Sequence, residues 1–353
     1  MRPGFEEFDM PNIDLSPREL QILSALIDCY IKNAEPVGSR RLATKYKLGV
    51  SPATIRNTLQ DLEEMGLVYQ PHTSAGRIPT EVSYRIYVDN MMQIRPLTKK
   101  EKAQIARELT SGNKAIDQIL EQSCRVLSEV SMQLGVSMAP RFTEGILTHL
   151  DLVPVGENRL LVVAAVKSGL VRSVVMEVDS VVNPKLIQET AVILNERLSG
   201  LTLGQIMETI HDRFRDVSYG DPKLIKLFTE SAENIFMPQD DKDLHLMGTP
   251  NITSQPEFRD PQKLQELISL IEERQKIVSS LNAAAINEGV VVTIGKEANL
   301  GMLDGCSMVT STYKAGKTTG TIGVIGPTRM EYSKLMSIVD YTSKVLSRIL
   351  SKE

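Results

Sequence analysis

A cluster of cationic side chains near the N-terminus is the part of the sequence whose residue types suit phosphate binding. Between residues 36 and 60 the chain carries five cations and no acidic residue: Arg40, Arg41, Lys45, Lys47 and Arg56. The whole chain has a net charge of −4, so this positive stretch lies within an acidic protein. For nucleic-acid binding the distribution of charge matters more than the sum. A run of charges alone is more often a solvated surface. Whether this one binds nucleic acid therefore depends on the secondary-structure elements that carry it.

Those elements are predicted to be three helices, each preceded by a serine that can serve as an N-cap. Ser16 starts a helix that reaches to about residue 32, and Glu19 completes a capping box with it. Ser39 is expected to cap a short helix that ends near residue 46. Ser51 caps a third helix that runs to about residue 65, where Gly66 stops it. Two short helices joined by a glycine-containing turn indicate a helix-turn-helix.

The third helix has two chemically different sides. Ile55, Leu59 and Leu62 fall on one side at helical spacing and are expected to pack on the first helix. The opposite side carries small, polar and basic residues: Ala53, Thr54, Arg56, Asn57 and Gln60. Arginine pairs with guanine, and asparagine or glutamine with adenine, in the major groove. This side therefore has the composition of a recognition helix, whereas a merely solvated side would be richer in Glu and Lys.

A short hairpin is predicted to follow, with strands at residues 67–70 and 77–79. A hairpin directly after a recognition helix is a wing, whose tip reaches phosphates or a narrow minor groove. The serines at helix N-termini are expected to place backbone N–H groups on phosphates. The candidate DNA-binding residues are Ser39, Arg40, Arg41, Lys45, Ser51, Thr54, Arg56, Asn57 and Gln60 in the helices, and His72, Thr73, Ser74 and Arg77 in the wing. Tyr84 and Tyr87, in a fourth helix after Thr80, are expected to be core residues.

The sequence resembles the HrcA family, the heat-inducible transcription repressors of bacteria. The segments that carry the resemblance are PVGS (36–39), ATIRN (53–57), LEEMG (62–66), PHTSAGRIPT (71–80), GTPNITSQPEF (248–258), VVVTIGKEANL (290–300) and GPTRMEY (326–332). One departure is Ser83, where the family more often has glycine before the tyrosine. The resemblance implies a dimeric repressor of chaperone operons that binds an inverted-repeat operator, CIRCE, through paired winged helices. It also implies dependence on the GroE chaperonin, with activity lost on heat shock.

The rest of the chain predicts an α+β multidomain protein. A hinge is expected at residues 95–98, then strands near 143–153, 159–167 and 170–178, a helical block at 184–236, a long helix at 261–281 and further strands after residue 289. Strands of one common sheet are expected on both sides of the helical block. With the resemblance, this gives a winged-helix domain (1–95), a GAF-like domain in two parts (96–182 and 259–353) and an inserted, mainly helical dimerisation domain (183–258).

Other classes of function are disfavoured. The three cysteines are far apart and the four histidines lack metal-ligand spacing, so neither a disulfide framework, a metal site nor a cofactor is expected. No catalytic motif is present, so an enzyme is not expected. A regulator that binds a small effector in the GAF-like domain remains an alternative. Two roles are open for Arg329, an anion site and a structural ion pair, and the structural role, at a subunit or domain contact, is favoured. The protein is expected to stay off the membrane, in the cytoplasm, associated with the nucleoid when bound to its operator.

Overall fold

The computed structural model describes residues 14–110, 115–140, 145–167, 169, 171–178, 183–217, 219–236, 243–287, 289–300, 305–316 and 318–351. The acidic leader, which the sequence predicts to be an extension before Ile13, lies outside these residues. The residues just before the predicted domain boundary at 183 lie outside them as well.

The N-terminal part is a winged helix. It comprises α1 (Pro17–Asn33), α2 (Ser39–Lys45), α3 (Pro52–Glu64), β1 (Val68–Tyr69), β2 (Ile78–Pro79) and α4 (Glu81–Ile86), which continues as a π-helical turn over Tyr87–Met91. Ser16 and Ser51 cap α1 and α3 through their side chains, as predicted. The expected cap at Ser39 is wrong by one residue, because Gly38 has the extended backbone of an N-cap and Ser39 is already helical. Tyr84 and Tyr87 are buried, as expected.

The remaining chain forms two further sheets, each of which packs against helices. In chain order these are α5 (Lys99–Thr110), α6 (Ile116–Ser131), β3 (Leu134–Met138), β4 (Leu147–Pro154), β5 (Arg159–Val166), β6 (Val171–Glu177), α7 (Pro184–Leu198), α8 (Leu203–Arg213), α9 (Pro222–Glu230), α10 (Ala232–Phe236), β7 (Leu244–Met247), α11 (Thr249–Thr253), α12 (Pro261–Glu272), α13 (Arg274–Ala284), β8 (Val290–Thr293), β9 (Cys306–Ala315), β10 (Thr318–Pro327) and α14 (Tyr332–Leu350). Short 3₁₀ turns lie at Pro256–Arg259 and Gly295–Ala298. The predicted long helix at 261–281 is interrupted at Glu273, which leaves the helical conformation.

One sheet has five antiparallel strands in the order β7-β3-β10-β9-β8. Helices α6 and α14 pack on one side of it, while α12 and α13 contribute to the core on the other side. Glycines in β10 allow close packing: a Cβ on Gly320 would lie 2.4 Å from the ring of Tyr313, and one on Gly323 would lie 2.4 Å from the carbonyl oxygen of Val309.

A separate sheet has three strands in the order β4-β5-β6. Its inner side shares one core with α7, α8 and α10, for example through Leu150, Val162, Leu194 and Phe236. The expectation that these strands belong to the same sheet as the C-terminal strands is therefore wrong. The strand that comes before β4 in the chain is β3, and it belongs to the five-stranded sheet. The sequence patterns did not predict β3.

An asparagine of α7 bonds to the edge of β4 that carries no neighbouring strand. The side-chain Oδ1 of Asn195 accepts a hydrogen bond from the backbone N–H of Leu150 (2.9 Å), and its Nδ2 donates to the carbonyl oxygen of the same residue (2.7 Å). The amide thus makes the pair of bonds that a neighbouring strand would otherwise make. Between the winged helix and α5, residues 95–98 were expected to be a hinge, but this linker is hydrogen-bonded to α14.

Candidate nucleic-acid interface

The two sides of α3 lie as the sequence predicts. Ile55, Leu59 and Leu62 are buried in the core of the winged helix. Arg56, Asn57 and Gln60 are exposed, and Thr54 is half-buried beside them: Arg56, Asn57, Gln60 and Thr54 form what we call the recognition surface. Within the described part of the chain, the side chains of Arg56 and Asn57 form no hydrogen bond or ion pair, so both are available to a ligand.

The first turn of α3 is fixed by a local hydrogen-bond network. The Ser51 hydroxyl accepts from the backbone N–H of Thr54 at 3.1 Å, and the two hydroxyls lie 3.0 Å apart. This cap satisfies one donor of the helix N-terminus and holds the turn in place. At the other end of the recognition surface, Gln60 Nε2 lies 3.4 Å from a carboxylate oxygen of Glu64. Ser51 and Thr54 therefore shape the start of the helix, while Arg56 and Asn57 project from it unengaged.

The cations of α2 lie in different surroundings. Arg40 and Lys45 are exposed, while Ser39 is half-buried in the first turn of the helix. Arg41 forms an ion pair with Glu35, with 3.0 Å between the guanidinium and the carboxylate. An exposed pair of this kind contributes only about 0–1 kcal/mol, so it does not prevent Arg41 from turning to a phosphate.

The wing tip carries His72, Thr73 and Ser74, all of them exposed. Its shape depends on Gln70, whose Nε2 donates to the carbonyl oxygens of Thr73 and Ala75, at 2.9 Å each. Sequence reasoning missed this role, because no pattern distinguishes a glutamine that folds back on its own loop from a solvated one. The loop that carries the tip residues is therefore stabilised by hydrogen bonds from its own side chain, Gln70.

Arg77 lies at the base of the wing rather than with the tip residues. Its guanidinium contacts the carboxylate of Glu63 on α3 at 2.6 Å, and its side chain is only 18% exposed. Its backbone N–H and C=O pair with those of Val37, at 2.9 Å each. The neighbouring Gly76 passes so close that a Cβ there would lie 2.3 Å from the carbonyl carbon of Val37. Arg77 and Gly76 thus join the wing to α3 and to the segment before α2.

The described residues offer little that suits other chemistry. Across these ranges, no group of three or more His, Cys, Asp and Glu side chains is placed so that it could hold a metal ion. Cys29, Cys124 and Cys306 are buried free thiols. None of the helices in the described part of the chain combines the length and the apolar character needed to cross a membrane.

An exposed arginine- and amide-bearing helix beside a short hairpin, both mounted on a three-helix core, defines a winged-helix DNA-binding protein. Residues 14–93 match the family model described as a winged helix-turn-helix transcription repressor, HrcA DNA-binding. Residues 117–336 match the model of the HrcA protein C-terminal domain. The chain belongs to the HrcA family of transcription repressors, which confirms the resemblance and the expectation that it is not an enzyme.

Relatives match over nearly their whole length. The chain is 39% identical over 341 residues to the heat-inducible transcription repressor HrcA of Geobacter sulfurreducens, covering 96% of this chain and 99% of the relative. It is 39% identical over 352 residues to the HrcA of Chlorobium phaeobacteroides, covering 96% and 99%. A solved structure of a hypothetical protein shares the fold, with a TM-score of 0.58, 21% identity and coverage of 96% and 99%.

Proposed function

We propose that this protein is a dimeric repressor of heat-shock chaperone operons that binds the inverted repeat CIRCE through paired winged helices and loses activity on heat shock. The observation that carries the proposal is the recognition surface, where Arg56 and Asn57 are exposed and unengaged on a rigidly capped helix. The similarity to heat-inducible transcription repressors supports repression and heat induction. The protein would act in the cytoplasm, on the nucleoid, with the GroE chaperonin as the partner that keeps it competent.

Within this proposal the candidate residues divide by role. Arg56, Asn57 and Gln60 would read base edges in the major groove. Phosphates would be bound by the cations Arg40, Arg41 and Lys45, by the helix starts at Ser39, Ser51 and Thr54, and by the wing tip at His72, Thr73 and Ser74. We assign Arg77 a positioning role instead of a phosphate contact, because Glu63 already holds its guanidinium.

Arg56→Ala tests the reading of bases. We expect it to weaken binding to the inverted repeat by about 1–3 kcal/mol and to relax base preference at one position of each half-site. The matched variant Lys45→Ala should weaken all duplexes alike and flatten the dependence of affinity on salt, because it removes a phosphate contact. Gel shifts with the repeat, point-substituted repeats and a scrambled duplex at several salt concentrations measure both effects. If Arg56→Ala bound the repeat as tightly as the wild type, α3 would not be the recognition helix.

The outer side of the three-stranded sheet supports the dimer. Val153, Leu161 and Val175 lie directly across from one another on the three neighbouring strands. Val171 lies on the same side of the sheet, four residues before Val175 on β6. Val171 is 63% exposed, and Val175 is 52% exposed. Contiguous exposed apolar surface of this kind marks a protein–protein contact. We propose that a second copy covers this side, so the dimerisation unit includes β4–β6 as well as the helices that share their core. The five-stranded sheet and its helices would then form the GAF-like domain.

A charge on that side should separate the subunits. We expect Val175→Asp to raise the dimer dissociation constant about tenfold or more, and to weaken operator binding in parallel, because the carboxylate would be buried without a partner. Val192→Asp is the matched control, since Val192 is 55% exposed but lies on α7. Sedimentation of both variants over a range of concentrations measures the effect. Equal behaviour of the two variants would place the interface elsewhere.

One observation favours the alternative of an effector-responsive regulator. A groove of about 520 Å³ lies between the winged helix and the C-terminal part of the chain, lined among others by Lys32, Gln133, Arg329 and Lys334. Its volume is in the range of small-molecule sites. A metabolite that bound there would raise the melting temperature and change operator affinity together. A screen of both readouts with the full-length protein separates this alternative from simple repression.

A further inference from the structure

The winged helix is fastened to the rest of the chain at three places, which we call the docking contacts. They involve α4, the end of α1 and the linker before α5. None of the three touches the recognition surface. Their common effect is to fix the direction in which α3 faces relative to the five-stranded sheet.

The first docking contact is made by Arg85 of α4. Its side chain is 7% exposed, and one guanidinium nitrogen lies 2.9 Å from the carbonyl oxygen of Val292 and 3.0 Å from the carboxylate of Glu297. Val292 belongs to β8, the outermost strand of the sheet, so the arginine occupies an open edge. One turn earlier, the carboxylate of Glu81 accepts from the backbone N–H of Lys296 at 3.3 Å. Two side chains of α4 therefore bind backbone groups at one corner of the sheet.

The second docking contact is made by Arg329, just before α14. Its guanidinium donates to the carbonyl oxygen of Ile31 in the last turn of α1 at 2.7 Å. It also donates to both carboxylate oxygens of Glu257, at 2.6 and 3.1 Å. A cation at the C-terminus of a helix is favoured by the helix dipole. This is the structural ion pair that the sequence predicted, and it lies at a domain contact.

The third docking contact binds the linker itself. The Ser333 hydroxyl donates to the carbonyl oxygen of Gln93 at 2.6 Å and accepts from the backbone N–H of Arg95 at 2.9 Å. One turn further along α14, the Ser337 hydroxyl donates to the carbonyl oxygen of Arg95 at 2.6 Å. A segment held by three such bonds cannot act as a free joint.

We propose that the docking contacts make the protein itself measure the distance and the angle between operator half-sites. This inference rests on the proposed function, a dimer bound to an inverted repeat. Each base pair added between the half-sites moves one of them by about 3.4 Å and turns it by about a tenth of a helical turn. A winged helix on a free linker would follow such a change. One that is fixed at three places cannot follow without breaking these contacts, so the complex accepts one spacing.

The test uses the full-length protein and a series of inverted repeats whose spacer is lengthened or shortened by one, two and five base pairs. The wild type should lose affinity at every altered spacing. The double variant Ser333→Ala with Ser337→Ala releases the linker, and Arg85→Gln releases the edge of β8. In both, we expect the ratio of affinities between native and altered spacing to fall about tenfold. Ser347→Ala is the control, because Ser347 lies on the same helix but accepts its bond from the backbone N–H of Lys314 in β9.

A duplex with a single half-site is measured alongside. Unchanged affinity for it shows that the winged helix of a variant is folded, and where Arg85→Gln fails this check, the serine variant decides. If the variants keep the spacing profile of the wild type, or if the wild type has a flat profile, the inference is wrong. If the wild type binds no inverted repeat at all, the proposed function fails instead. The control variant Ser347→Ala should keep the spacing profile of the wild type. A flattened profile in this variant would mean that general loosening of α14 reduces the dependence on spacing. That result too would overturn the inference.

Discussion

Replacing Arg329 with methionine is expected to lower the free energy of unfolding by about 3–5 kcal/mol, because the change leaves the partly buried carboxylate of Glu257 without its partner. Burial alone would lower the pKa of Arg329, but the hydrogen bonds and charge of Glu257 raise it above its ordinary value, so the guanidinium stays charged. The substitution also removes the donor to the carbonyl oxygen of Ile31 at the end of α1. Urea denaturation followed by circular dichroism measures the loss as a shift of the transition midpoint.

The double variant Arg329→Met with Glu257→Gln separates charge from packing. Removing both members of a buried pair is far less costly than removing one. We therefore expect the double variant to recover a large part of the lost stability. A single variant as stable as the wild type would show that the ion pair does not hold the winged helix to the C-terminal part.

Gly76→Ala is expected to destabilise the winged helix by about 1–3 kcal/mol or more, as overpacking of a tight contact does. The new methyl group would lie within 2.6 Å of three backbone atoms of Val37, and backbone cannot move aside as a flexible side chain can. To relieve the clash, the wing would have to separate from the segment before α2, which would also disturb the ion pair of Arg77. Operator affinity should therefore fall together with the melting temperature.

Gly38→Ala is the matched control. This glycine lies one residue beyond Val37, has a φ of −89°, and has nothing within 4 Å of an added Cβ. We expect at most a small loss of stability, since alanine is only a poorer N-cap than glycine. If both alanines were equally tolerated, the close approach of the wing to Val37 would not matter for DNA binding.

The winged helix could be predicted from sequence because its signals are local. Ser16 and Ser51 each precede a proline and a run of apolar residues at helical spacing, and Gly66 ends the third helix in a left-handed conformation with a φ of +72°. The division of α3 into an apolar and a polar side follows from the spacing of Ile55 and Leu62. These features depend on residues a few positions apart, so one sequence suffices to find them.

The features that escaped prediction depend on distant residues. β3 is only five residues long and directly follows α6, and its partners β7 and β10 lie about 110 and 190 residues away. Arg85 is similar: on α4 it resembles any charged helical residue, and only the fold brings it to Val292. The three central strands were predicted, but period-two alternation does not say which sheet a strand joins.

The asparagine that seals the rim of β4 has a consequence for how copies of this protein can assemble. Growth of a filament by strand addition requires two available sheet edges per molecule, because each molecule must pair with a neighbour on both sides. Asn195 bonds to one of these edges, at the backbone N–H and C=O of Leu150 in β4, with distances of 2.9 and 2.7 Å. Strand addition between the small sheets of two molecules then has the edge of β6 to use, and a contact between two such edges is complete after two copies. We therefore expect the same amide that satisfies a strand within one molecule to oppose the growth of filaments through this sheet.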